Sequence, residues 1–267
     1  MLVTSLAVTT ALIYLIGAGI QLMHIVQRRQ RIDRKVLILG LIALLGHAVV
    51  TWNGVYGEGT MRLGFYKVPA LIFLVINVAC LLILLRRPLQ NLLIVVFPLS
   101  ALAVLASIFG PETSIADGQM PKGVLIHVSS SLLAYSVLTL AALQAILVAI
   151  QDHQLKQRHT RGIIQVLPPL QLMETMLFEL IWVGVVILTF AIASGMIFLD
   201  DIFAQHLVHK TVLTLLAWCL FAILLWGHSQ RGWRAQTAVR LTLAGFALLM
   251  LAYFGSKLVL ELVLQRP

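Results

Sequence analysis

Charged residues are scarce in this chain of 267 residues, where they make up 11% of the sequence against 60% for hydrophobic residues. A soluble domain of this length needs far more polar surface than such a composition supplies. The composition therefore excludes a soluble enzyme or binding domain and indicates a protein that lies in a membrane.

Cysteine is almost absent as well. The two cysteines, Cys80 and Cys219, are far apart and form no Cys-x-x-Cys pair, which argues against thiol-relay chemistry and against covalent attachment of a cofactor by this chain. The sequence also lacks a Ser-His-Asp order, a phosphate loop, a His-Glu-x-x-His motif and paired catalytic carboxylates. Without such motifs, we expect that the protein is not an enzyme.

Long apolar runs occupy most of the chain. A helix needs about 20 predominantly apolar residues to cross a bilayer, and eight runs come near this length. We therefore predict an all-α, polytopic membrane bundle that forms a single transmembrane domain over residues 1–267, with helices near 3–26, 36–54, 66–85, 91–109, 124–150, 176–198, 211–227 and 241–263.

Basic residues are distributed unevenly between the connections. Alternate connections hold 13 of the 19 Lys and Arg residues, and they are 27–35, 86–90, 151–175 and 228–240. Basic short loops stay on the cytoplasmic side, which predicts that both termini lie outside. We interpret the net charge of +9 as a topology signal that also suits anionic lipid headgroups, and we expect no nucleic-acid partner.

The longest of these connections contains Pro168 and Pro169. Each proline lacks a backbone donor and restricts the residue before it. We therefore predict a hinge between the fifth and sixth helices, which divides the bundle into two parts.

Three histidines, His47, His127 and His228, lie in or at the ends of the predicted spans. An ionisable side chain at membrane depth is a candidate functional residue, because leaving it unpaired in hydrocarbon is costly. Neutral imidazole suits iron, so His47 and His228 are a candidate pair of haem ligands. The alternative for His228 is an ordinary interfacial position beside Trp226.

His127 shares one face of the fifth predicted helix with Ser131 and Tyr135, because these residues follow at four-residue spacing. One interpretation makes His127 an outward-facing ligand whose helix presents a polar wall. The other is a stripe of hydrogen bonds that joins neighbouring helices. Both interpretations stay open at this point.

Polar residues also cluster outside the spans. The outer loop between the sixth and seventh helices contains Asp200, Asp201, His206, His209 and Lys210. Two histidines three residues apart with nearby carboxylates suit a divalent metal if the segment is helical, and a solvated loop is the alternative. His24, His153 and His159 lie beside basic clusters, where we expect them to be solvated.

Several blocks of sequence resemble the cytochrome c assembly (CcsA-like) family, most closely its short YpjD-type inner-membrane members. The resemblance covers most of the chain and is clearest from 124 to 257. It rests on the blocks Leu125-Ile126-His127-Val128 with Ser131 and Tyr135, Leu167-Pro168-Pro169-Leu170 with Glu174 and Phe178, His209-Lys210 through Leu215, Ala217 and Trp218 to Trp226-Gly227-His228, and Ala252-Tyr253-Phe254-Gly255.

The resemblance implies a multi-pass protein of the bacterial inner membrane that handles haem during cytochrome c biogenesis. By this likeness His47 and His228 match ligand positions within the membrane, and His127 matches an outward-facing ligand. His209 or His206 is a candidate partner for His127. We therefore expect non-covalent haem b and, beyond haem and lipid, a membrane-protein partner.

Two features depart from the family pattern. The segment Leu199–Lys210 has no tryptophan, although the outer loop of the family is tryptophan-rich, and no histidine follows Gly255. These departures leave a second hypothesis open, which is a non-haem accessory or regulatory subunit of a membrane complex such as a metal-ion transporter.

Overall fold

The described part of the chain folds into eight consecutive α-helices. A computed structural model describes residues 1–27, 33–56, 63–84, 90–111, 121–157, 167–198 and 208–255, and these residues contain no strand. The helices are α1 (Leu2–Val26), α2 (Arg34–Val55), α3 (Val68–Leu84), α4 (Leu93–Phe109), α5 (Lys122–Lys156), α6 (Leu170–Phe198), α7 (Val208–Arg231) and α8 (Ala235–Met250). The predicted all-α membrane bundle is confirmed.

Seven helices of the described chain are long and apolar enough to cross a membrane, counting α4 together with the 3₁₀ turn Gln90–Leu92 before it and α8 together with the π-helical turn Leu251–Gly255 after it. The remaining helix, α3, has 17 residues and is also apolar. The predicted orientation, with both termini outside, stays a prediction.

Two helices begin earlier than the apolar runs predicted. α6 starts at Leu170 instead of 176, and α8 starts at Ala235 instead of 241. Hydropathy underestimates these ends because polar residues, such as Gln171 and Glu174 in α6, interrupt the apolar pattern there. In α6 the helix begins directly after Pro169, whose carbonyl accepts from the backbone N–H of Leu172 at 2.9 Å. A proline fits there because the first turn of a helix needs no backbone donor. The predicted end of the eighth helix, at 263, lies outside the described residues.

The chain divides into two compact units, of which the first holds α1 to α4 and the second holds α5 to α8. The division therefore falls between α4 and α5, and the prediction of a dividing hinge at Pro168 and Pro169 is wrong. The physical reason is that α5 and α6 pack closely along their lengths, so the helices on both sides of this connection belong to one unit.

In the first unit, α1 packs against both α2 and α4, and α3 packs against α4. Small side chains allow the close approach of these helices: Ala7 of α1 meets Val50 of α2 and Val104 of α4 in a fully buried cluster. Farther along, the ring of Phe97 lies against the backbone of Gly17 and Gly40, where a Cβ atom would be about 3 Å from the ring.

In the second unit, α5 packs against α6 and α8, and α7 packs against α8 and α6. The α5 and α6 helices pack closely at Gly184, which faces the side chain of Leu138. The buried amide of Gln144 also donates to the carbonyl of Met173 at 3.1 Å. These contacts join α5 and α6 through both packing and a hydrogen bond.

We expect Gly184→Ala to destabilise the second unit. An added Cβ would lie 2.5 Å from Leu138 Cδ2, and overpacking of this kind costs about 1–3 kcal/mol. Gly19→Ala is the matched control, because a Cβ at this helical glycine meets no atom within 4 Å. Thermal unfolding in detergent, followed by circular dichroism, should show a lower Tm for Gly184→Ala only; equal shifts in both variants would contradict the packing argument.

Candidate functional site

His47 lies in the core of the first unit and is 0% exposed. Its Nε2 is 3.0 Å from the carbonyl oxygen of Ala70, and its Nδ1 is 3.2 Å from the hydroxyl of Tyr14. A carbonyl only accepts, so Nε2 carries the proton and Nδ1 accepts from Tyr14. Both ring nitrogens are therefore engaged, and a ligand role for His47 requires that the bond to Tyr14 be given up.

His228 lies near the end of α7 in the second unit and is exposed. Its ring stacks on Phe178 of α6, with centroids 3.5 Å apart and planes inclined by 16°. Its Nδ1 is 2.9 Å from the carbonyl oxygen of Trp233, so Nδ1 carries the proton and Nε2 keeps its lone pair. The ring is therefore held by two contacts while one nitrogen stays available to a ligand.

The turn after α7 explains why the Trp233 carbonyl reaches His228. Gly232 has a φ of 65°, a left-handed conformation that suits glycine just past a helix end. The chain then folds back, and the Trp233 ring lies directly over Gly227, where a Cβ would collide with it. The local sequence Gly227-His228 to Gly232-Trp233 therefore builds the hydrogen-bond acceptor for its own histidine.

A cleft of about 830 Å³ opens beside His228. This volume lies within the ~300–1,000 Å³ of small-molecule and cofactor sites. Glu174 of α6 accepts from the backbone N–H of Ala235 at 3.0 Å and so fixes the start of α8 next to the cleft. The lining combines apolar, polar and charged residues: Gln171, Glu174, Thr175, Phe178, Glu179, Trp182, Val183, Leu225, His228, Ser229 and Arg234.

His127 lies at the opposite end of the second unit and is partly buried. Its Nδ1 is 2.8 Å from the carbonyl oxygen of Ala191, and its ring lies against Gly195, where a Cβ would be 2.8 Å from Cε1. As in His228, Nδ1 donates to a backbone carbonyl, and Nε2 makes no hydrogen bond to the described residues. This is the arrangement common in metal-binding histidines.

His209 is exposed in the first turn of α7. The α6 and α7 helices run antiparallel, since Trp218 bonds Thr189 while His228 stacks on Phe178. His209 and His127 therefore lie at the same end of the second unit, as a pairing would require. His47 belongs to the first unit and His228 to the second, so their pairing stays a prediction.

Two residues of the predicted polar face of α5 bond different neighbouring helices. His127 bonds α6, whereas the hydroxyl of Tyr135 donates to the carbonyl oxygen of Leu249 in α8 at 2.8 Å. For Tyr135 the interpretation as an interhelical hydrogen bond is therefore the one that the contacts support.

Some predictions concern residues outside the described ranges, namely Asp200, Asp201, His206, His159 and the residues after Gly255. Within the described ranges, no group of three or more His, Cys, Asp or Glu side chains is arranged to hold a metal ion. The metal interpretation of the loop between α6 and α7 thus rests on residues that are not described.

The expectation that His24 is solvated is wrong. The residue is 7% exposed, and its Nε2 is 3.5 Å from Asp33 Oδ2 at the start of α2. Asp33 is held there because its other oxygen accepts from the backbone N–H of Lys35, as an N-cap does. His153 is exposed, as expected.

Sequence comparisons identify the family. The model of the cytochrome c assembly protein family matches residues 35–264. The chain belongs to the cytochrome c assembly family. The inner membrane protein YpjD of Escherichia coli K12 is 31% identical over 95% of this chain and 98% of its own length. An uncharacterized 28.8 kDa protein of Azospirillum brasilense is 28% identical over 58% of each chain. No solved structure matches.

This cytochrome c assembly family member is therefore a multi-pass inner-membrane protein. Membership supports a haem-handling role in cytochrome biogenesis. Sequence reasoning found the histidines and named Phe178 only as part of the family resemblance. It missed Tyr14, whose hydroxyl bonds His47, and Trp233, whose carbonyl bonds His228. Gly232 could have drawn attention to Trp233, because a glycine just after a helix predicts that the following residues turn back toward that helix.

In this family member, Tyr14→Phe should lower the free energy of unfolding by about 1–3 kcal/mol, because His47 Nδ1 then lacks a donor in the core. Tyr56→Phe is the control, since Tyr56 is exposed and surface changes stay within about 0.5 kcal/mol. Denaturant unfolding in mixed micelles measures both. Equal stability of the two variants would show that the Tyr14–His47 bond contributes nothing.

Proposed function

We propose that the protein holds haem b non-covalently in the inner membrane, with His228 as a ligand of the haem iron, and that it performs no bond-making chemistry of its own. The observation that carries this proposal is the hydrogen bond from His228 Nδ1 to the Trp233 carbonyl. It selects the neutral tautomer whose Nε2 has a free lone pair, the form in which imidazole binds iron.

The surroundings of His228 fit a large flat ligand. Phe178 stacks on the imidazole and keeps its plane fixed, and Trp182 and Leu225 add apolar surface to the cleft. Arg234 places a cation on the cleft wall, which suits the carboxylates that haem carries. When bound, haem supplies an iron that accepts imidazole ligands and changes redox state.

For the remaining ligands we propose the histidines that the family resemblance implies. His47 is the proposed partner of His228, and it would coordinate only after its bond to Tyr14 is released. At the other end of the second unit, His127 has an uncommitted Nε2 and lies at the same end as His209. These two are the proposed ligands of an outward-facing position.

The spectrum of the purified protein tests the proposal. Wild-type protein from haem-replete cells should show a Soret band and a reduced-minus-oxidised spectrum of low-spin haem, since two imidazoles give a strong ligand field. His228→Ala should lose the low-spin signature, as should His47→Ala if it supplies the second ligand. His153→Ala is the control, because His153 is an exposed histidine that bonds only Gln157. A colourless wild type would refute the proposal.

Gly227→Ala tests the positioning of His228 without removing it. The new methyl group would collide with the Trp233 ring and displace the carbonyl that orients the imidazole. We expect haem binding to weaken by about 10–100-fold, the cost typical of losing an outer-shell partner of a ligand. Haem titration of apoprotein measures the Kd, with Gly54→Ala as control because its position is open. An unchanged Kd in Gly227→Ala would contradict a positioning role of this turn.

A second candidate function is a non-haem accessory subunit of a membrane complex that moves metal ions. The observation that favours it is the complete hydrogen bonding of His47, which is what a purely structural core histidine would show. A colourless protein together with altered metal content in a deletion strain would support this candidate. A low-spin haem spectrum with unaltered metal content would exclude it.

A further inference from the structure

Several buried polar side chains of the first unit lack hydrogen-bond partners. Gln21 is 1% exposed and Asn91 is 6% exposed. The atoms Gln21 Oε1, His24 Nδ1, Asn91 Oδ1 and Asn91 Nδ2 make no hydrogen bond within the part of the chain that the structure describes. Buried polar groups are nearly always paired, either with protein or with ordered water, so these four atoms need a common explanation.

These side chains converge on one end of the unit. Gly17 of α1 faces Phe97 of α4, whereas Ala7 packs near Val104, so the two helices run antiparallel. Gln21 and His24 therefore lie level with the 3₁₀ turn Gln90–Leu92, which precedes α4 and contacts α1. The start of α2 joins them through Asp33, at 3.5 Å from His24.

The mixture of donors and acceptors among these atoms is one that water can satisfy. Asn91 presents both an amide oxygen and an amide N–H₂ group without partners. A cation would satisfy only the acceptors, and an apolar molecule would satisfy neither. Water donates and accepts, and buried water typically makes about three hydrogen bonds to such groups.

Phe97 limits this polar region on the side toward the middle of the unit. Its ring lies against Gly17 and Gly40 and is 1% exposed. Its centroid is 5.2 Å from that of Tyr14, the hydrogen-bond partner of His47. The order along α1 is therefore a polar cluster at Gln21 and His24, then the ring of Phe97, then the Tyr14–His47 pair.

We propose that Gln21, His24, Asp33 and Asn91 form a water-binding pocket in the first unit, and that the ring of Phe97 separates this water from the Tyr14–His47 pair. The pocket is a feature of the first unit alone and does not depend on haem binding. Only the side chain of Phe97 then lies between this water and the Tyr14–His47 pair.

Radiolytic hydroxyl-radical labelling tests the pocket, because radicals generated from bound water oxidise adjacent side chains even when these are buried. The readout is mass spectrometry of peptides from the full protein in detergent. We expect labelling of His24 and Phe97. Phe221 is the matched control, because it is a fully buried phenylalanine that also lies against a glycine, Gly245, in the other unit. Labelling of His24 and Phe97 no greater than that of Phe221 would refute the pocket.

Two variants test the parts separately. Gln21→Leu combined with Asn91→Leu replaces the polar lining with apolar side chains and should abolish labelling of Phe97. Phe97→Ala should extend labelling to Tyr14, while Phe221→Ala should not. Tyr135, a buried tyrosine of the second unit, reports general unfolding, since it should stay unlabelled throughout. Tyr14 labelled in the wild type, or unlabelled in a folded Phe97→Ala variant, would overturn the role of Phe97.

Discussion

Hydrocarbon offers no hydrogen-bond partner, and this constraint determines most of the molecule. It requires that the backbone of each span bond within its own helix, which is why the described residues fold into helices. It also requires that polar side chains find partners inside the protein. Asn77 bonds Ser100 at 2.6 Å, Tyr135 bonds the backbone of α8, and Gln144 bonds the backbone of α6. The polar residues therefore mark where helices meet.

The same constraint gives the histidines different chemical states. His47 donates from Nε2 to a carbonyl and accepts at Nδ1 from Tyr14, so neither nitrogen is available. His127 and His228 donate from Nδ1 to carbonyls and keep Nε2 uncommitted. All three rings donate to a backbone carbonyl, and the difference lies at the second nitrogen, which meets the hydroxyl of Tyr14 in His47 alone. Whether a histidine of this bundle keeps a free lone pair is thus decided by whether its second nitrogen meets a donor.

The sequence predicted the helices well because hydropathy follows composition, and composition is what the bilayer selects. It placed the starts of α6 and α8 six residues late, since residues such as Gln171 and Glu174 are polar yet helical. It also misjudged His24, which lies beside basic residues in sequence but is buried against Asp33. The contact between His228 and Phe178 depends on how α6 and α7 pack together, and no local sequence pattern predicts such a contact.

Several rings of the structure lie directly against glycines. Phe97 lies on Gly17 and Gly40, His127 lies on Gly195, and Trp233 lies on Gly227. In each case a ring occupies the space that a missing Cβ leaves, so the backbone of one helix positions a side chain of another segment. The segment Leu199–Lys210 has no tryptophan, and the aromatic residues of the proposed haem site lie on a helix instead. Phe178 and Trp182 of α6 line the cleft beside His228, on an element whose position is fixed by close packing at Gly184.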